Sequence, residues 1–356
     1  MQVFQEVNNM EEREDEYLET MSKDEGLLEL EMGYGSHNPE VVKAVKEDYG
    51  ASLNLSNLPI ELLTKNVDSL SAEEFTNIRR QGFGGSDSSM LLGVNPYQGE
   101  QELINSKTLP YLPDTPEKRN QLAKEKQVGQ LSSVRKGNDL EPLIIKKASE
   151  ALKIEIIKPT DMYRFKEYPY LTMNFDGVGI FPKGHDFAFV GKHHGYAPVE
   201  IKVATIKGQN FYQVPKAIYS ETRLYQGLEP WQKAPPPLTD EQLKTWDIAR
   251  KADYFGIPKY YYTQVQQEMM ALDAEGGFIA ILFEVDWHVQ IFYVQKDPYV
   301  WNALKIKGYE YWNRVQQIIA RYAPNEAEKM QKIVKVDTKS SLSNKKSTFS
   351  NIDEDF

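Results

Sequence analysis

The sequence predicts a mixed α/β fold, a twisted sheet flanked by helices, on three observations. Short β-rich runs crowd into residues 154–204 and return at 276–295. Helical stripes stand on either side of them, at 137–152, 257–272 and 302–322. Glycine and proline punctuate the joins, as the connections between packed elements require.

Residues 1–60 mix an acidic run, Glu11 to Glu16, with a short helical pattern near Val41–Val45, and read as a loosely attached extension. The globular pattern begins near Pro59. In SAEEFTNIRRQ, Ser71 stands at N-cap spacing before two glutamates and opens a helix. GFGGSDSSMLLG is a glycine turn opening a second helix, and residues 111–136 are polar and lysine-rich, loop and helix at the surface. GNDLEPLIIKKASEAL is a helix with Leu140, Leu143, Ile144 and Ala148 on one stripe.

The runs IEIIKPT, MYRFKEYPYLT, MNFDGVGIF, FAFVG and APVEIKVA then read as a meander of antiparallel strands. GLEPWQKAPPPLTDE is too rich in proline for a regular element and reads as a surface insertion. IPKYYYTQVQQEMMAL is helical, with Tyr261, Val265 and Met269 on one face. GGFIAILFEV and HVQIFYVQ are strands, and NALKIKGYEYWNRVQQIIARY is a long amphipathic helix. The last residues are poor in apolar side chains and read as disordered. The expected plan is an extension over 1–60, a globular domain over 61–330 and a tail over 331–356.

Composition narrows the function. At 356 residues the chain can bury a sizeable core, and it has no cysteine, which excludes disulfides and thiolate metal sites. No apolar run approaches the length of a membrane span, and the acidic N-terminus lacks the apolar core of a signal peptide, so a cytoplasmic location is expected. The net charge is −10, but the first fifty residues hold 14 acidic and 4 basic side chains. They carry the whole excess. The rest is neutral and free to present a basic groove to nucleic acid.

In YAPVEIKVA, Val199, Ile201 and Val203 alternate with Glu200 and Lys202, so one strand face carries a carboxylate and an ammonium together. Upstream, Asp176 precedes Gly177 at an apparent strand end. An Asp and a Glu brought together from adjacent strands are oxygen ligands suited to Mg²⁺, and a lysine beside them can orient the attacking water. Asp followed by Glu-x-Lys is the arrangement that phosphodiester hydrolysis needs; the competing reading is an ordinary solvated strand face. His193 and His194 in GKHHGY lack a partner at ligand spacing and read as a hairpin turn. GFGG lacks the strand and spacing of a dinucleotide fingerprint. Tyr260–Tyr262 could stack on bases, with at least one in the core. Lys118, Arg119, Lys124, Lys126, Arg135 and Lys136 could track a phosphate backbone or simply be solvated.

Five pieces in order resemble the PD-(D/E)XK nucleases, and more narrowly the YqaJ-type viral recombinases, the family of the phage lambda exonuclease. They are R-x6-S in RRQGFGGSD, GNDLEP, the D-G of NFDG, E-I-K in VEIK, and Q-V-Q in YTQVQQEM. The resemblance runs from about Arg79 to the helix around Gln264, and more weakly to about residue 320. It implies a PD-(D/E)XK core in which Glu141, Asp176 and Glu200 ligate the metal, Mg²⁺ with Mn²⁺ as a substitute and two ions, helped by the Ile201 carbonyl. Lys202 would position the water and Gln264 would contact it or the scissile region, although Gln266 and Gln267 leave the register open. Arg79 and Ser86 would form a pocket for a 5′ phosphate, where a guanidinium forks onto phosphate and a glycine turn before a helix offers N–H groups. Arg80 could replace Arg79, and Asp87 could be structural.

Phe175 departs from the small residue or proline usual before the metal-binding Asp, and the N-terminal extension, proline-rich insertion and longer tail are departures too. The activity implied is a Mg²⁺-dependent 5′→3′ exonuclease on double-stranded DNA ends, in a bacterial host, feeding single strands to an annealing recombinase in phage recombination. A homotrimer is implied as well. The alternatives are an endonuclease of the same fold and a DNA-end-binding protein with an inactive site. The tip NIDEDF is similar to the acidic, Phe-ended tips of bacterial single-strand-binding proteins and could dock a recombination partner; a solubilising end is the plainer reading.

Overall fold

The computed structural model describes residues 53–328 except 129–131, 188–189, 191–194, 205–211 and 213; the side chains of 126–128, 132–135 and 214 are likewise outside the description. The described residues belong to one unit, Tyr49–Phe356, and the other unit, Met1–Asp48, lies outside them. The acidic extension up to residue 52, His193 and His194, the side chains of Lys126 and Arg135, and the tail from residue 329 are therefore outside the described residues.

Leu53 and Leu58 are buried ahead of strand β1 (Ile60–Thr64). Helix α1 (Ala72–Arg79) starts where the sequence places it: Glu74 N–H donates to Ser71 Oγ at 3.2 Å, and Ser71 N–H donates to the Glu74 carboxylate at 2.9 Å. This capping box satisfies two end donors that would otherwise be unpaired. A 3-10 turn at Gly85–Asp87 leads into α2 (Ser88–Leu91), followed by α3 (Glu100–Thr108), α4 (Pro116–Val128) and α5 (Ser132–Leu152). Because α5 begins at Ser132, Glu141 sits in mid-helix rather than at its start, with Pro142 inside the helix. Leu140, Ile144 and Ala148 are buried as expected, but Leu143 is 39% exposed and Ile145 takes its place. At 3.6 residues per turn the stripe centres between Ile144 and Ala148, and Leu143 falls well round from that line.

The strands are β2 (Glu155–Ile157), β3 (Met162–Phe165), β4 (Thr172–Met173), β5 (Val178–Ile180), β6 (Tyr196–Ala204) and β7 (Tyr219–Ser220). After them come α6 (Glu221–Tyr225), α7 (Asp240–Thr245), α8 (Ile248–Phe255), α9 (Lys259–Leu272), β8 (Gly276–Phe283), β9 (His288–Gln295) and α10 (Pro298–Tyr322). They do not form one meander. β3 and β4 leave to join β1 in a separate three-stranded sheet, while the main six-stranded sheet runs β2-β5-β6-β8-β9-β7. Its pairs are antiparallel except β6 with β8. The FAFVG run lies partly outside the described residues. The proline-rich stretch has no helix or named strand before Asp240, where α7 begins, yet it is pinned: Trp231 packs on Tyr219 with ring centroids 5.0 Å apart, and Leu238 is buried.

Every residue of β8 is buried, the mark of a central strand covered on both faces. α9 lies so close to it that a Cβ on Gly277 would stand 2.8 Å from Val265 Cγ1, so only glycine fits there. This layer fixes the register around the chemistry. Glu200 lies opposite Ile279 and Lys202 opposite Ile281, while Val199 N–H donates to Gly177 O at 2.9 Å and brings the turn of Asp176 beside β6.

Candidate active site

Asp176 occupies the turn just before β5 and reaches across to β6. Its Oδ2 accepts from the Ile201 N–H and from Lys202 Nζ, each at 3.3 Å. Lys202 Nζ also donates to Glu200 Oε1 and lies 5.2 Å from the centroid of the Tyr261 ring. The ammonium thus bridges both carboxylates. Burial works against its charge, but Glu200 and Asp176 outweigh burial and hold the Lys202 pKa well above its usual value. Glu200 is itself only 1% exposed. Burial, with Asp176 adding repulsion, pushes its carboxyl up to about 7, although Lys202 pulls the other way.

Of the three glutamines in α9, Gln264 is the one that meets Glu200. Its amide Nε2 donates to Glu200 Oε1 and, at 3.3 Å, to Glu268 Oε1. Gln266 faces elsewhere, accepting from the Asp297 N–H at 2.8 Å and from Trp301 Nε1 at 3.0 Å. Gln267 is a bolt: its Nε2 donates to the carbonyls of Phe83 at 3.0 Å and Thr172 at 3.1 Å, tying the glycine turn to β4. Glu268 is a buried fourth carboxyl that the sequence reading missed, with its pKa raised well above normal by burial and then by Glu200. Its signal was the i, i+4 spacing from Gln264, which stacks the two on one helix face.

Glu141 opens on the same space but does not join the pair directly. Its carboxylate is held by Lys158 at 2.8 Å; burial and then Asp176 raise its pKa, with Lys158 opposing. Among the described residues, no three carboxylates or imidazoles stand together as a ready-made metal cage.

At the other end, α1 and the glycine turn bring Arg79 to Ser86: the guanidinium donates to Ser86 Oγ at 2.9 Å. Arg80 is committed to structure, donating to Ser106 O at 3.1 Å, to Asn77 Oδ1 at 2.9 Å and to Glu125. Asp87 pairs with buried Lys107 at 2.7 Å and accepts the Gly84 N–H at 2.9 Å. The Lys107 ammonium also donates to the Arg79 carbonyl at 3.1 Å. Burial would raise the Asp87 pKa, but Lys107 and Arg79 together bring it below its usual value. The turn then presses on α9, where a Cβ at Gly85 would stand 3.3 Å from Gln264 Cγ.

These groups line one cleft of about 550 Å³, bounded by Arg79, Ser86, Glu141, Asp176, Lys202 and Gln264, with Ile201 in the wall. Glu200 stands behind Lys202. Of the tyrosines, Tyr262 is core and donates to Asp297 at 3.0 Å, while Tyr261 lines the cleft and Tyr260 meets Tyr97. Among the described side chains of the basic run, three have partners. Lys118 donates to Pro110 O at 2.8 Å, Arg119 pairs with Asp114 at 3.5 Å and Lys136 with Glu284 at 3.1 Å, leaving Lys124 exposed. Phe175 is buried against Tyr163, ring centroids 5.9 Å apart.

No helix of the described residues is long and apolar enough to cross a membrane. No curated protein matches the chain. Among solved structures, an alkaline exonuclease from Laribacter hongkongensis, LHK-Exo, is similar at 11% identity and TM-score 0.39, over 72% of this chain and 99% of that one. LHK-Exo in complex with dAMP gives 13% identity and TM-score 0.41 over the same shares, 72% and 99%. A phage-related exonuclease from Haemophilus somnus 129PT gives 14% identity and TM-score 0.35 over 67% of this chain and 96% of that one. Residues 74–222 match the model of the YqaJ-like viral recombinase domain, a span that contains Arg79, Ser86, Glu141, Asp176, Glu200 and Lys202.

Proposed function

We propose that the cleft hydrolyses the phosphodiester backbone of DNA, as a Mg²⁺-dependent exonuclease that works 5′→3′ from double-stranded ends. The observation that carries this is the opening of Asp176, Lys202 and Gln264 onto the same cleft as the Arg79–Ser86 pair, with Glu200 directly behind. The residues fit a divalent cation. Carboxyl groups outnumber their cationic partners here, one oxygen of Glu200 is buried without a hydrogen-bond partner, and a lysine ammonium already bridges Asp176 and Glu200. Mg²⁺ is commonly held by one or two carboxylates and keeps several waters, which suits this pair with the Ile201 carbonyl beside it. Glu141 would serve a second ion only after yielding its contact with Lys158; Mn²⁺ is the natural substitute.

Bound there, the metal would lower the pKa of a water and offset charge on the phosphoryl oxygens. The chain's own groups do the rest. Lys202 Nζ positions the attacking water, the Gln264 amide holds Glu200 beside Lys202, and Arg79 with Ser86 fixes the terminal 5′ phosphate, which sets the polarity. Single strands left behind would feed an annealing recombinase, and a homotrimer in the bacterial cytoplasm is the assembly that the family resemblance suggests.

Linear and closed circular duplex DNA, with and without 5′ phosphate, test the proposal in Mg²⁺ and in chelator. Loss of linear DNA alone, faster with the phosphate and abolished by chelation, is expected. Cutting of closed circles would replace it with an endonuclease of the same fold. Binding of ends without cleavage in any divalent metal would leave a DNA-end-binding protein.

A further inference from the structure

The loop joining β8 to β9, Glu284–Trp287, closes on the pair Phe283↔His288. Its last residue adopts a left-handed backbone, φ 52°, where glycine or asparagine is at home and a large side chain clashes with its own chain. The residue there is Trp287. It is 46% exposed, Val285 beside it is 50% exposed, and among the described residues the indole has no ring partner. A strained backbone that puts a large aromatic into water is poor for stability. Such features persist where a ligand uses them.

The base of this tip is firm. His288 is buried, stacks on Phe283 with centroids 5.1 Å apart, and contacts both Asp286 and Gln290. The loop's first residue, Glu284, contacts two residues that adjoin the cleft lining in the chain. Glu284 pairs with Lys136 at 3.1 Å, next to the lining residues Gly137 and Asn138. The Glu284 N–H donates to Ala204 O at 3.0 Å, next to the lining residue Val203.

We propose that Trp287 is a stacking platform for an unpaired nucleobase of the DNA strand that borders the cleft. A flat apolar ring exposed on a hairpin whose base is packed, near a cleft for phosphodiesters, matches the stacking chemistry by which proteins hold single strands without reading sequence. This inference rests on the reading of the cleft as a DNA site, and the two can fail separately.

The probes are a blunt duplex, the same duplex with a short single-stranded tail, and that tail made abasic, bound in chelator so that nothing is cut. Wild-type protein is expected to bind the base-bearing tail about tenfold more tightly than the abasic one, and Trp287→Asn to bind the two alike. Trp287→Phe, which keeps a ring, should retain most of the preference. Trp287→Asn should also melt higher than wild type, because asparagine tolerates the left-handed backbone. Equal wild-type affinity for base-bearing and abasic tails, or an unchanged preference in Trp287→Asn, would overturn the proposal while leaving duplex cleavage intact. Absence of DNA binding by wild type on any probe would instead overturn the reading of the cleft itself.

Discussion

Lys202 sits where a cation is needed, and that makes it informative to remove. With the ammonium gone, buried Glu200 and half-buried Asp176 lose the cation that bridges them. Breaking a fully buried pair costs about 3–5 kcal/mol, and the cost is smaller here because Asp176 is partly exposed and Glu200 can take up a proton. Lys202→Ala is therefore expected to lose cleavage and to melt lower without metal, and Mg²⁺ should raise its melting temperature more than it raises that of wild type. Equal Mg²⁺ shifts in both proteins would remove Asp176 and Glu200 from the metal site. Asp176→Ala and Glu200→Ala should each abolish cleavage yet keep DNA binding in a gel-shift assay, since the strand itself stays folded. The neighbouring glutamines separate chemistry from support. Gln267→Ala removes one donor from the carbonyls of Thr172 and Phe83, the latter keeping the Thr172 N–H at 2.9 Å, and should lower stability by about 1 kcal/mol in denaturant unfolding. Gln264→Ala should instead lower turnover with little change in stability.

Between elements, the decisive joint is the one that seats the glycine turn against the end of α1. Lys107 on α3 binds the Arg79 carbonyl and Asp87 together, and Asp87 in turn holds the Gly84 N–H. Arg79 and Ser86 are thus held in register by a buried ion pair rather than by their own contact alone. Arg79→Ala should slow degradation of 5′-phosphorylated ends far more than of hydroxyl ends; equal loss on both would mean that Arg79 does not read the phosphate. Lys107→Met strands the Asp87 carboxylate. It should destabilise the fold by about 3–5 kcal/mol and, at a temperature where the variant is still folded, blunt the preference for phosphorylated ends. A destabilised variant that keeps the full preference would reduce the clamp to a purely structural role.

At the scale of the whole molecule, one prediction reaches past the described residues. Deleting Asp353 to Phe356 should leave nuclease activity intact but abolish recovery of a recombination partner by pull-down, if the acidic, Phe-ended tip docks it; unchanged recovery would leave a solvated end. The chain alone determined the main strands and long helices, because the alternation in β6, the continuous apolar runs of β8 and β9 and the apolar faces of α5, α9 and α10 are local patterns that burial enforces. It also determined the residues in the cleft, through motif order. Tertiary packing decided the rest. It placed β3 and β4 in a second sheet, which strand propensity cannot foresee because pairing partners are distant in sequence. It chose Gln264 over Gln266 and Gln267, since only the seat of α9 on β8, allowed by the missing side chain of Gly277, sets which face meets Glu200. It turned Glu141 toward Lys158 and brought in Glu268, because a carboxylate's role depends on which charges lie within a few ångströms, and no spacing along the chain states that distance.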